Sequence, residues 1–170
     1  QGLLYYNTNN SKKALEKYKE VVVKHPNSKE AKQAVTNVKN VYIDIGKVDE
    51  YATWVKNVKF INVSDKELDD ATYQSAENKF LENNNSKAIE GFNKYLKAFP
   101  SGINALKAHF YLAQSYNNSN QFKNATAHYL YVVNQNKSEF TEESLTKVSK
   151  IYLEEGNWDK AIKTLEGISI

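Results

Sequence analysis

Three histidines, acidic pairs such as Asp69-Asp70 and Glu142-Glu143, and one Gly-Lys step are where this chain's residue types could do chemistry. His25, His109 and His128 are of the type that ligates zinc or acts as a general base near neutral pH. No His-x-x-x-His spacing occurs, and the chain has no cysteine, which removes thiolate ligands, thiol nucleophiles and disulfides together. The expectation is packed or exposed histidines holding no metal. Gly46-Lys47 lacks the upstream glycine and downstream Ser/Thr of a phosphate-binding loop. Asp69-Asp70 and Glu142-Glu143 lie at or near helix starts, where carboxylates complement the positive helix end. Six Asn-x-Ser/Thr sequons, at Asn9, Asn62, Asn84, Asn117, Asn124 and Asn136, are what so asparagine-rich a chain produces by chance. The expectation is therefore a protein that is not an enzyme, with no catalytic residue, no cofactor and no metal.

Composition narrows the partners. The chain has 170 residues, 41% hydrophobic and 25% charged, with only six Gly and two Pro, which favours long helices over many short strands. No apolar run approaches the roughly 18 to 20 residues of a membrane span, so this segment is expected not to cross a membrane. It also does not begin like a signal peptide. The net charge of +3 comes from interleaved Lys and Glu, as in "ALEKYKE", and arginine is absent. Without the bidentate guanidinium or a clustered basic face, nucleic acid is not an expected partner. The absence of cysteine is compatible with either redox compartment.

Two stretches read nearly alike: "NSKKALEKYKEVVVKHP", ending at Pro26, and "NNSKAIEGFNKYLKAFP", ending at Pro100. Each runs through a small residue (Ala14, Ala88), an aromatic four on (Tyr18, Phe92) and an apolar site three further (Val21, Tyr95). The series Ala14, Tyr51, Ala88, Ala125 and Ala161 recurs at intervals of 37, 37, 37 and 36 residues. The later units place Tyr129 and Leu165 at the aromatic site, then Val132 and Ile168. Upstream lies a second apolar stripe: Gly2 and Tyr5; Leu112, Ala113 and Tyr116; Val148, Ser149 and Tyr152. Spacings of three and four put each stripe on one side of a helix. Between stripes stand "NTNN", "DIGK", "ENNN", "NSNQ" and "EEGN", whose Asn and Gly accept left-handed backbone and end the first helix. Each unit is thus two antiparallel helices, with small residues where they cross. Pro26 and Pro100 stop second helices. "VSDKEL" offers a capping box from Ser64 to Glu67, and Thr141 with Glu142 and Glu143 offers a similar start.

These units resemble tetratricopeptide repeats, whose small, aromatic, Ala, aromatic and Pro signatures occur in this order across essentially the whole chain. The second unit departs, with Lys39 and Tyr51 at sites that the family fills with small residues, while Val38, Tyr42, Gly46 and Val55 keep the frame. A splayed or shifted crossing is expected there. The resemblance implies an all-α fold, a right-handed superhelical solenoid of about five antiparallel helix pairs. The units run approximately over 1–28, 29–63, 64–102, 103–138 and 139–170, the first truncated. One array is expected over 1–170, part of a longer repeat protein, because neither Gln1 nor Ile170 falls at a capped end.

In such arrays first helices line a concave groove. The resemblance maps that groove onto Tyr73, Glu77, Phe80 and Leu81; Lys107, Phe110, Gln114 and Asn117; and Glu143, Thr146, Lys150 and Glu154. An aromatic and amide wall of mixed charge suits a peptide or protein segment. Family members that grip a terminal carboxylate use a Lys/Asn/Arg clamp; Lys107 stands here without the matching Asn and Arg, which disfavours that use. The expected function is a non-catalytic protein–protein interaction scaffold. "FPSGINALKAHFYLAQSY" is similar to bacterial envelope members of the family, and "GKVDEYATWVKNVKFINVSDKELDDATYQSAENKF" resembles a segment of large envelope repeat proteins of Bacteroidetes type. That likeness implies a periplasmic or outer-membrane-associated setting and a role in envelope complex assembly, with the cytoplasm as the alternative. The rival readings are a glycan-binding solenoid accessory to a cell-wall enzyme, with Tyr73, Phe80 and Phe110 stacking on sugars, and an array that associates end to end with itself.

Overall fold

The computed structural model describes residues 1–166; the expected core position Ile168 and the terminal Ile170 lie outside the described residues. Among the described residues there are ten α-helices and no strand. They are α1 (Gly2–Asn7), α2 (Ser11–Lys24), α3 (Lys29–Asp44), α4 (Val48–Val55), α5 (Asp65–Leu81), α6 (Asn85–Ala98), α7 (Ala105–Asn118), α8 (Phe122–Val133), α9 (Thr141–Glu154) and α10 (Trp158–Glu166). The all-α reading holds, as a solenoid of consecutive helix pairs.

The turn inside each pair is built the same way five times. Asn9, Gly46, Asn83, Asn120 and Gly156 all have positive φ, between 56° and 77°. The amide after each donates to a carbonyl five residues back: Asn10 to Tyr5, Lys47 to Tyr42, Asn84 to Lys79, Gln121 to Tyr116 and Asn157 to Tyr152, at 2.8–2.9 Å. The left-handed residue's own amide closes the inner bond three residues back, as from Asn120 to Asn117 at 3.0 Å. This is a Schellman closure, which satisfies the orphan carbonyls of the first helix and reverses the chain. The next residue is the N-cap of the second helix in α2, α4, α6 and α8. The Asn10 and Asn84 side chains accept from the amides of Lys13 and Lys87, each at 3.2 Å.

Starts of first helices are more varied. Ser64 and Glu67 form the expected capping box: the Glu67 amide donates to Ser64 Oγ at 3.2 Å and the Ser64 amide to Glu67 Oε2 at 2.9 Å. The expected start at Thr141 is built differently. Thr141 is the first helical residue, and its hydroxyl accepts backwards from the Ser138 amide at 2.9 Å, while Glu142 and Glu143 occupy the first turn. Lys24 and Ala98 are the last residues of α2 and α6, and Pro26 and Pro100 follow two residues later.

The chain divides into two compact units, Gln1–Ser75 and Ala76–Ile170, the division falling inside α5. In the first unit, α1 crosses α2 so closely that a Cβ on Gly2 would stand 2.6 Å from the Tyr18 ring. Ala14, Tyr18 and Val22 of α2 pack with Ala34, Val35, Val38, Val41 and Tyr42 of α3. Tyr51 is 3% exposed although it takes a small residue's place; its ring lies 6.5 Å from Tyr42 and 6.2 Å from Trp54. The helix that carries it, α4, ends after eight residues. Irregular chain follows, with Val58 buried and Phe60, Ile61 and Val63 packed on the same core. Ser75 ties α5 to α3, its hydroxyl donating to the Ile43 carbonyl at 2.7 Å.

The second unit holds α6 to α10 and the last residues of α5. Gly91 of α6 meets Ala76 of α5, where an added Cβ would lie 2.9 Å from the Ala76 Cβ. Phe92, Tyr95, Ala113, Ala125, Tyr129, Val132 and Val148 are fully buried. Leu165, read as the equivalent of Tyr129, is 43% exposed.

Candidate functional site

The first helices of the second unit supply most of the residues that the sequence maps to a groove. Leu81 is 69% exposed, Lys107, Glu143, Thr146, Lys150 and Glu154 are exposed, and Glu77, Phe80, Gln114 and Asn117 are half-buried. The Gln114 Nε2 of α7 donates to Glu143 Oε1 of α9 at 3.0 Å, an exposed bond between the two helices. Lys150 and Glu154 pair at 3.8 Å along α9. Both side chains are exposed, so the pair adds little stability and leaves its charges to solvent.

Two residues of that set do not face outward. Tyr73, in the first unit, is 6% exposed and Phe110 is 3% exposed; both belong to the core. Each stands three residues before a small buried residue, Ala76 and Ala113, and its large apolar ring joins the core beside it. Phe110 lies 4.7 Å from the Phe140 ring and packs with Ala113, Ala125 and Tyr129. Thr146, at the equivalent position of α9, stays out, its hydroxyl donating to the Glu142 carbonyl at 3.0 Å.

One residue on from Phe110, a helical step of about 100° turns Tyr111 toward the face instead. The sequence reading missed this half-buried ring. Its four- and three-residue spacings to Lys107 and Gln114 were the available signal. Tyr111 sits 5.0 Å from Phe80 and 6.3 Å from Phe92, with which it stacks. Burial, followed by the negative field of Glu77, Glu139 and Glu143, pushes its hydroxyl above the ordinary tyrosine range. Carboxylates from α5, from the loop before α9 and from α9 itself thus surround one aromatic platform.

The histidines fall in two classes. His25 is exposed at the end of α2. His109 of α7 and His128 of α8 are half-buried, and their Nδ1 atoms lie 2.8 Å apart. Burial, then the neighbouring His128, pushes His109 down to about 4, and burial lowers His128 as well. Both rings are therefore uncharged near neutral pH. The sequence reading, which looked for a His-x-x-x-His spacing, missed this pairing. The two are 19 residues apart, and only the helix reversal at Asn120 brings them together. Among the described residues no group of three or more His, Cys, Asp or Glu side chains could hold a metal ion. None of the described helices is long and apolar enough to cross a membrane.

This geometry can present a polar, aromatic-floored surface to another chain. Known proteins bear on what such a surface belongs to. No curated protein matches the chain. Among solved structures, the crystal structure of MamA superposes with a TM-score of 0.55 at 18% identity, covering 98% of this chain and 91% of that one. The MamA RS-1 ArsTM double mutant gives 0.54 at 12% identity, covering 99% and 88%. A Podosopora anserina protein of kinesin-light-chain type with nearly identical TPR-like repeats gives 0.50 at 15%, covering 99% and 90%. At such identities the likeness speaks for the fold alone. Residues 1–28 match the tetratricopeptide repeat family and residues 59–169, well over half of the chain, match the tetratricopeptide repeat-like domain family. The chain belongs to the tetratricopeptide repeat family.

Proposed function

We propose that the chain is a non-catalytic scaffold that binds an extended segment of another protein on the first-helix face of its second unit. The observation that carries this reading is the Gln114–Glu143 bond, which links a side chain of α7 to one of α9. On the first helices stand the Phe80–Tyr111 platform and the exposed side chains of Lys107, Thr146 and Lys150. Members of this fold are generally protein-interaction modules without catalysis, which supports the reading. Rings supply contact area at low entropic cost, while the amides and mixed charges fix register. Selection of peptides from a random library on the folded protein tests it. A consensus that binds the wild type and is lost in Lys107→Glu/Lys150→Glu, with helicity unchanged, is the expected result. Peptides retained by that variant and by Phe80→Ala would place binding elsewhere.

The Phe99-Pro100 stretch and the run that follows it support a cell-envelope setting, periplasmic or outer-membrane-associated, as the finer part of this proposal. Fractionation of the native cells, with the protein in the cytosol, would remove that part alone. A second reading is end-to-end self-association, favoured by Trp158, Ile162 and Leu165, which are 64%, 57% and 43% exposed along α10. Sedimentation that stays monomeric at every concentration would eliminate it.

A further inference from the structure

We infer that the Phe80–Tyr111 platform receives a basic side chain, arginine best, of an extended partner segment, with Glu77, Glu139 and Glu143 as its counter-charges, a partner chemistry that rests on the scaffold reading above. All five residues belong to the second unit. Tyr111 lies 5.0 Å from Phe80 and 6.3 Å from Phe140. Glu77 precedes Phe80 by three residues, which puts both on one side of α5. Glu139 directly precedes Phe140. Glu143 accepts from Gln114, which stands one turn beyond Tyr111 on α7. Three separate segments of chain thus bring a carboxylate toward one ring.

An aromatic face attracts a cation, and a guanidinium both stacks on a ring and forms paired bonds with carboxylates. Burial and then the three carboxylates push the Tyr111 hydroxyl above its ordinary range, so the field at the platform is negative. Glu139 and Glu143 are exposed, while Glu77, Phe80 and Tyr111 are half-buried, so a side chain reaches them from solvent. An apolar anchor would desolvate the carboxylates without compensating them, and an acidic one would meet like charge. Lys107 stands one turn before Tyr111, about 6 Å along α7. Alternate residues of an extended chain are about 6.6 Å apart. A segment running along α7 therefore sets an acidic residue on Lys107, two positions from its arginine. The mixed charge of the face is complementary to that pair.

The test offers the folded protein three libraries of ten-residue peptides, random except for a fixed central arginine, glutamine or glutamate. The arginine library should yield the binders, and replacing that arginine by glutamine in a selected peptide should weaken it by about tenfold. Glu139→Gln/Glu143→Gln should weaken the same peptide by about fivefold with helicity unchanged, and raised salt should weaken it too. Binders that are lost in Lys107→Glu/Lys150→Glu, yet are indifferent to loss of their arginine or to Glu139→Gln/Glu143→Gln, would overturn this assignment and leave the scaffold reading standing. No binder to that face from any of the three libraries would overturn both.

Discussion

Gly91 of α6 and Ala76 of α5 approach so closely that a Cβ built on Gly91 stands 2.9 Å from the Cβ of Ala76 and 3.0 Å from its Cα. The neighbour is small and partly backbone, so it cannot swing aside. Gly91→Val should therefore cost about 1–3 kcal/mol through overpacking. In Gly91→Ala the helix-propensity gain of about 1 kcal/mol offsets part of the clash. Urea unfolding of the two variants checks the order; a Val variant as stable as wild type would mean that the helices cross elsewhere.

Asn120 holds φ 59° at the turn between α7 and α8. Alanine there meets the left-handed penalty of about 1–2 kcal/mol, whereas glycine does not. Asn120→Ala should lower the thermal midpoint and Asn120→Gly should keep or raise it. Equal loss in both would assign the effect to the asparagine side chain instead of the backbone.

Tyr129 is fully buried, and its hydroxyl has no hydrogen-bond partner. Its ring belongs to the core with Phe110, Ala125 and Val132. Tyr129→Phe should hold or raise stability by about 1 kcal/mol, since it removes an unpaired buried polar group. Tyr129→Ala should cost about 3–5 kcal/mol. A marked loss on Tyr129→Phe, measured by denaturant unfolding, would show that the hydroxyl is bonded in solution.

Alkaline pH probes other tyrosines. The hydrogen bond that Tyr6 donates to Asp44, with burial and the Asp44 charge, pushes Tyr6 up to about 12, and burial does the same to Tyr51. Unfolded tyrosines ionise near 10. Folded-state values raised above that favour the neutral form, so this stability is fully present below pH 10 and is lost as pH rises from 10 to 12. The urea midpoint should be level from about pH 8 to 9.5 and fall beyond 10, with a shallower fall in Tyr6→Phe. A midpoint still level at pH 11 would contradict the placement of both rings.

The sequence showed the repeat plainly because the small crossing residues and left-handed Asn or Gly answer to local geometry. Asn9, Gly46, Asn83, Asn120 and Gly156 recur with the same 36- to 37-residue period as Ala14 to Ala161. The face was less legible. Tyr73 and Phe110 read as groove residues by family position, but both rings are buried although Thr146 at the same spacing from a small residue is exposed, and Tyr111 takes the outward place. A one-residue step on a helix decides this, and the resemblance alone does not fix it. The His109–His128 contact was not legible, since which side chains meet across a crossing depends on how far each helix is rotated.

The central claim is that partners lie on the first-helix face, and lysine-directed cross-linking of the full protein to its captured partner, mapped by mass spectrometry, tests it most directly. Lys107 and Lys150 stand on that face, whereas Lys123 and Lys160 belong to the second helices α8 and α10. Cross-links concentrated at Lys107 and Lys150, and lost in Phe80→Ala, are the predicted result. Cross-links confined to Lys123 and Lys160 would contradict the account.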